Sequence, residues 1–70
     1  MSTQVKGYTV TLEKPDEFRI YSESFDWSDY DTPSDMGIAV AQYCADSVDL
    51  GWDVECFDDT GKIVLSIRGN

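Results

Sequence analysis

Two stretches of period-two hydrophobic alternation, one on each side of a stretch with helical periodicity, predict an α+β fold. The expected form is a two-layer domain in which one helix packs on one face of a four-stranded antiparallel sheet, in the order β-β-α-β-β. The 70 residues make one acidic domain, 1–70, and a chain of this length buries only about 60% of the surface its unfolded form exposes. The core is therefore thin, and no room is left beside it for an enclosed substrate cavity.

Tyr8, Val10 and Leu12 alternate with Thr9, Thr11 and Glu13, which predicts a half-buried strand. Phe18 and Ile20 continue the alternation after Lys14-Pro15-Asp16, so a hairpin is expected with its second strand reaching Glu23. From Ser24 to Asp31 no clean period remains, and a loop or an irregular strand extension is expected there.

Thr32-Pro33-Ser34-Asp35 carries three helix-start signals. Thr suits the N-cap, Pro the first helical position, and a carboxylate the positive end of the helix dipole. At about 100° per residue, Met36, Val40, Tyr43, Cys44 and Val48 fall on one side, while Asp35, Gln42, Asp46 and Asp49 gather on the other. The helix is expected to run to Leu50, with Gly51 as its left-handed cap. Gly37 either weakens the first turns or allows a close approach to the sheet.

Trp52, Val54 and Cys56 then alternate with Asp53, Glu55 and Phe57, and Ile63, Leu65 and Ile67 alternate with Val64, Ser66 and Arg68. Between these runs, Asp58-Asp59-Thr60-Gly61 suits a type I turn followed by a bulge. Parity assigns Thr9, Thr11, Arg19, Tyr21, Glu23, Asp53, Glu55, Lys62, Ser66 and Arg68 to the open face of the sheet, where the cations are expected to offset Asp53 and Glu55. Strand order is not legible in the sequence.

The charge distribution narrows the function. The chain has 14 acids, 5 bases and no histidine, for a net charge of −9. Between Ile20 and Gly61 there is no basic residue, yet Glu23, Asp26, Asp29, Asp31, Asp35, Asp46, Asp49, Asp53, Glu55, Asp58 and Asp59 all lie there. A hydrophobic content of 41% with nine aromatic residues separates the chain from disordered acidic tails. Such a field attracts basic surfaces and repels nucleic acid and anionic lipid, so neither direct nucleic-acid binding nor membrane binding is expected.

Catalysis is not expected, because the chain lacks histidine, a Gly-rich phosphate loop, and any Ser or Cys with a suitable base. Cofactors are not expected either. Asp26, Ser28, Asp29 and Asp31, and likewise Asp58, Asp59 and Thr60, offer oxygen ligands, but neither stretch has the EF-hand spacing, so no metal site is assigned. Cys44 and Cys56 are expected as buried reduced thiols; a disulfide would require the helix and strand that carry them to meet. Met1 to Gly7 has no apolar run of the signal-peptide kind, and no stretch reaches the roughly 18 apolar residues of a membrane span. A cytoplasmic protein is expected.

A rigid acidic surface has a use of its own. Carboxylates two apart on an extended segment stand about 6.6 Å from each other, which imitates the spacing of backbone phosphates. The candidate partner-binding residues are Glu23, Asp26, Trp27, Asp29, Tyr30, Asp31, Asp35, Asp46 and Asp49. Trp27 and Tyr30, with Phe25, interleave with the acids as interface anchors do, or else the rings cover one end of the core. Asp46 and Asp49 stand towards the negative end of the helix dipole, where acids are slightly destabilising, and a binding role accounts for that placement.

In size, acidity and layout, and in the character of Glu23-Ser24-Phe25-Asp26-Trp27-Ser28-Asp29-Tyr30-Asp31 and the helix acids, the chain resembles small anti-CRISPR proteins and other DNA mimics of phages and mobile elements. The resemblance implies a stoichiometric inhibitor that occupies the DNA- or guide-RNA-binding groove of a CRISPR effector in the bacterial host cytoplasm. The alternative is an acidic interaction module of the immunity-protein or antitoxin type, docking on a basic protein unrelated to nucleic acid. A third reading is a small domain whose acidity only maintains solubility.

Overall fold

The computed structural model describes residues 5–69, so the ends of the expected 1–70 domain, residues 1–4 and 70, lie outside the described part. It has strands β1 (Gly7–Lys14), β2 (Arg19–Asp26), β3 (Asp53–Asp58) and β4 (Ile63–Ile67), and helix α1 (Pro33–Asp49) between the two hairpins. All four strands are antiparallel, in the order β2-β1-β3-β4. The α+β expectation holds, and the order places the two hairpins side by side through their first strands.

The core lies between α1 and the middle of the sheet. Val10 and Leu12 of β1 and Val54 and Cys56 of β3 meet Met36, Val40 and Cys44 of α1, all seven buried. The expected helix face is thus the buried one, with Tyr43 and Val48 at its margin. Ser47 joins it unforeseen, its hydroxyl donating to the Tyr43 carbonyl at 2.8 Å. At the helix start the Asp35 N–H donates to Thr32 Oγ1 at 3.1 Å, and at its end Gly51 takes φ +92°, as its cap role requires. The α1 helix packs over β3 and β1 and touches β2, but it hardly reaches β4.

The first hairpin departs from expectation in a way that inverts one strand. Pro15–Glu17 forms a 3-10 turn and Phe18 follows it in the left-handed region, at φ 54° and ψ 40°. The turn uses four residues, so Lys14 opposes Arg19 and Leu12 opposes Tyr21. A one-residue difference in turn length moves every side chain of the strand to the other face.

Arg19, Tyr21 and Glu23 therefore stand on the helix side of the sheet rather than the open side. Phe18 and Ile20 are exposed rather than buried. Tyr21 meets Trp52 edge-on at 5.3 Å between ring centroids, and Phe25 meets Tyr43 at 5.5 Å. Of the two alternatives expected after Glu23, the strand extension is the one found: β2 continues to Asp26 before a second 3-10 turn at Trp27–Asp29.

The second hairpin follows its expected turn. Asp58 Oδ1 accepts from the Thr60 N–H at 2.9 Å, the Lys62 N–H at 3.0 Å and the Thr60 hydroxyl at 2.6 Å, and Gly61 has φ +87°. These bonds hold the Asp58 carboxyl below its ordinary range, the Thr60 hydroxyl contributing most. A bulge beside Phe57 sets Ile63 opposite it, on the open face.

The expected offset of Asp53 and Glu55 by arginine also needs correction. Arg19 stands on edge strand β2 and pairs with Glu17 at 3.5 Å. Arg68 shares a depression of the open face with Glu13, Asp53 and Glu55, but no ion pair forms there. Asp53 instead accepts the Gly69 N–H at 2.9 Å.

Candidate interaction surface

The acid-rich segment after β2 is held by backbone bonds. The Trp27 N–H donates to the Lys6 carbonyl at 2.9 Å and the Tyr30 N–H to the Trp27 carbonyl at 3.2 Å, fixing the 3-10 turn against the start of β1. Within it the Ser28 hydroxyl donates to Asp26. Tyr30 packs half-buried against the core while Trp27 remains 52% exposed. The two rings, with Ser28, Asp31, Thr32 and Pro33, line a shallow depression. Asp26, Asp29, Asp31 and Asp35 are exposed around it.

Six of the nine sequence-predicted residues, Asp26, Trp27, Asp29, Tyr30, Asp31 and Asp35, thus gather at one end of a molecule 41 Å long. Glu23 lies midway on β2, close enough to α1 that its charge, after burial, helps raise the Tyr43 hydroxyl above its usual range. Asp46 and Asp49 lie towards the other end of α1, where the chain turns through Gly51 to Trp52 and Lys14 Nζ stands 4.7 Å from the Trp52 ring centre. At about 1.5 Å per residue, Asp35 and Asp46 are about 16 Å apart along the axis. The exposed side chains between them, Ile38, Ala41, Gln42 and Ala45, are uncharged. The surface is therefore two acidic groups on an uncharged bridge.

The electrostatics of this surface are set by what is missing from it. Among the described residues the ion pairs are Lys14–Glu17 at 3.8 Å and Arg19–Glu17 at 3.5 Å. Both end on Glu17, so no acid from Glu23 to Asp59 is paired with a cation. Some of these acids have a local role: Asp58 ties its turn, Asp35 stands at the favourable helix end, and Asp26 accepts from Ser28. From the described residues Asp29, Asp31, Asp46 and Asp49 receive no side-chain bond.

Among the described residues no group of three or more His, Cys, Asp or Glu could hold a metal ion, and no helix is long and apolar enough to cross a membrane. Cys44 and Cys56 do meet in the core as free, buried thiols. Burial raises both, Cys56 to about 11 with the adjacent Cys44 adding to the effect. Neither is a reactive nucleophile.

Sequence reasoning missed the exposed Phe18, a residue 97% accessible at the hairpin tip. The signal was present in Pro15-Asp16-Glu17, which starts a tight turn that needs a left-handed residue after it. It also missed the apolar exposure along β4, because alternation alone does not say which strand lies at an edge. Comparison with family models, curated proteins and solved structures finds no match to this chain.

Proposed function

We propose that this protein is a non-catalytic inhibitor that binds the basic nucleic-acid-binding surface of another protein through its carboxylates. The observation that carries the reading is the absence of any cation paired with the acids between Glu23 and Asp59 among the described residues. Partly exposed acids of one sign in a fixed frame steer a basic partner and need no rearrangement to meet it. The two acidic groups, separated along α1, suit a groove that ordinarily takes an extended polyanion. From the resemblance in size and charge, a CRISPR effector is the first target to try.

Trp27 favours a second reading. A half-exposed indole beside a depression is the kind of anchor that dominates protein interfaces, and it suits an immunity- or antitoxin-type complex equally well. Competition separates the two. Purified CRISPR effector complexes and unrelated basic proteins are passed over the immobilised chain, and bound protein is challenged with duplex DNA and with salt.

Under the first reading an effector is retained, DNA releases it, and Asp46→Lys with Asp49→Lys abolishes retention without changing the circular dichroism spectrum. Release by Trp27→Ala with indifference to DNA supports the second reading. Retention by the Asp46→Lys, Asp49→Lys variant equal to that of the unaltered chain sinks the first.

A further inference from the structure

The sheet is electrically lopsided. Strand β2 and the acid-rich turn after it lie at one edge, and β4 lies at the other, three strand spacings or about 14 Å away. From Thr60 to Gly69 there is no carboxylate, and Lys62 and Arg68 bracket the strand. In a chain of net charge −9, β4 is the one strand without an acid.

Among the described residues it is also an unpaired edge, with an apolar sequence. Strand β4 reads Ile-Val-Leu-Ser-Ile, bonded to β3 on one side only. Val64 is 49% exposed, and Ile67 on the helix side is 40% exposed because α1 sits over the other strands. Gly69 lies against the Gly51 and Trp52 backbone, which brings the exposed Leu50 to the same end of the molecule as Ile67. An edge with free N–H and C=O groups, strong β-formers and no charge inside it is a template for another strand.

We infer that two copies of this chain pair through β4, antiparallel about a two-fold axis at Ser66, to give one continuous eight-stranded sheet. In this register Leu65 of each copy opposes Ile67 of the other on the helix side, extending the apolar row across the junction. Ser66 meets Ser66 on the open face. Arg68 of each copy opposes Val64 of the other.

Three observations select a second copy. The pairing joins the two least negative edges and leaves both acid-rich β2 edges outermost, which minimises repulsion between like-charged molecules. Pairing of β4 with β2 would instead bring β4 against the strand that carries Glu23 and Asp26, and would build an open filament. The bulge at Val64 confines the straight part of β4 to the Leu65–Ile67 segment that the two-fold uses. A junction of one short strand is small, so the dimer is weak and depends on concentration.

The dimer does not depend on the acidic surface having a target, and salt tells the two apart. Screening should strengthen the contact between two anions, whereas binding of a basic partner through the carboxylates weakens with salt. Sedimentation of the purified chain over about a hundredfold range of concentration, at low and high salt, is the test.

The expected result is a mass rising from 7.9 kDa to twice that, at lower concentration when salt is high, with Val64→Lys plus Ile67→Lys monomeric and unchanged in circular dichroism. Amide exchange at Val64 to Ile67 should slow as the unaltered chain is concentrated, a readout that needs no variant. A monomer at every concentration, a mass growing past the dimer, dimerisation by the lysine variant equal to that of the unaltered chain, or β4 exchange indifferent to concentration would each overturn the proposal.

Discussion

Gly37 stands in the second turn of α1, half-buried, and apart from its neighbours and the local helix backbone no described atom lies within 4 Å of the position a Cβ would take. The close approach that glycine permits is therefore not used here, and only its cost remains. Gly37→Ala should stabilise the fold by about 1 kcal/mol, a rise of about 5 °C in melting temperature for a domain of this size. The thiols make a second residue-scale prediction. The folded Cys56 holds its proton up to about pH 11 against an ordinary 9.0, so its contribution to stability is complete below about pH 9 and is lost as pH rises through 11. Cys44 and Tyr43, also raised, act in the same sense. The urea midpoint should fall across that interval, and iodoacetamide at pH 8 should label both thiols quickly in urea and slowly in the native protein.

The first hairpin shows how an element overrides its residues. Phe18 holds a left-handed conformation that costs a side-chain-bearing residue about 1–2 kcal/mol, and its ring has no packing to lose. Phe18→Asn should therefore raise the urea midpoint, by about 0.5–1 kcal/mol of stability, because Asn tolerates this conformation. The same turn marks the limit of what the sequence disclosed. Helix α1, its Thr32 cap, its Gly51 stop and the Asp58–Gly61 turn were legible because each rests on short-range chemistry. The faces of β1 and β3 were legible because their alternation is unbroken. The face of β2 was not, since it depends on whether the turn uses three residues or four, and Ile20 alternates as plausibly as Tyr21. The acids of the candidate surface were legible singly, but their division into two groups required knowing that Asp35 and Asp46 stand about three helical turns apart on one axis.

For the molecule as a whole the net charge of −9 opposes compactness, since the described acids beyond Glu17 lack paired cations. Raising ionic strength from about 10 mM to about 150 mM shortens the screening length from about 30 to about 8 Å. The melting temperature should rise by several degrees over that range, and a fall would show that the acids are not in net repulsion. The strand order has a kinetic side as well. Each hairpin closes locally, but the core forms only when β1 meets β3, joining Tyr8 to Asp58 and Glu13 to Asp53 across the whole helix. Closing so long a loop before its contacts can form is the slow step of such a topology. During synthesis the first hairpin emerges with Val10 and Leu12 uncovered and waits until β3 has been made. A chain ended before Asp53 lacks Val54 and Cys56, which α1 and β1 pack against, and is expected to show no cooperative melting.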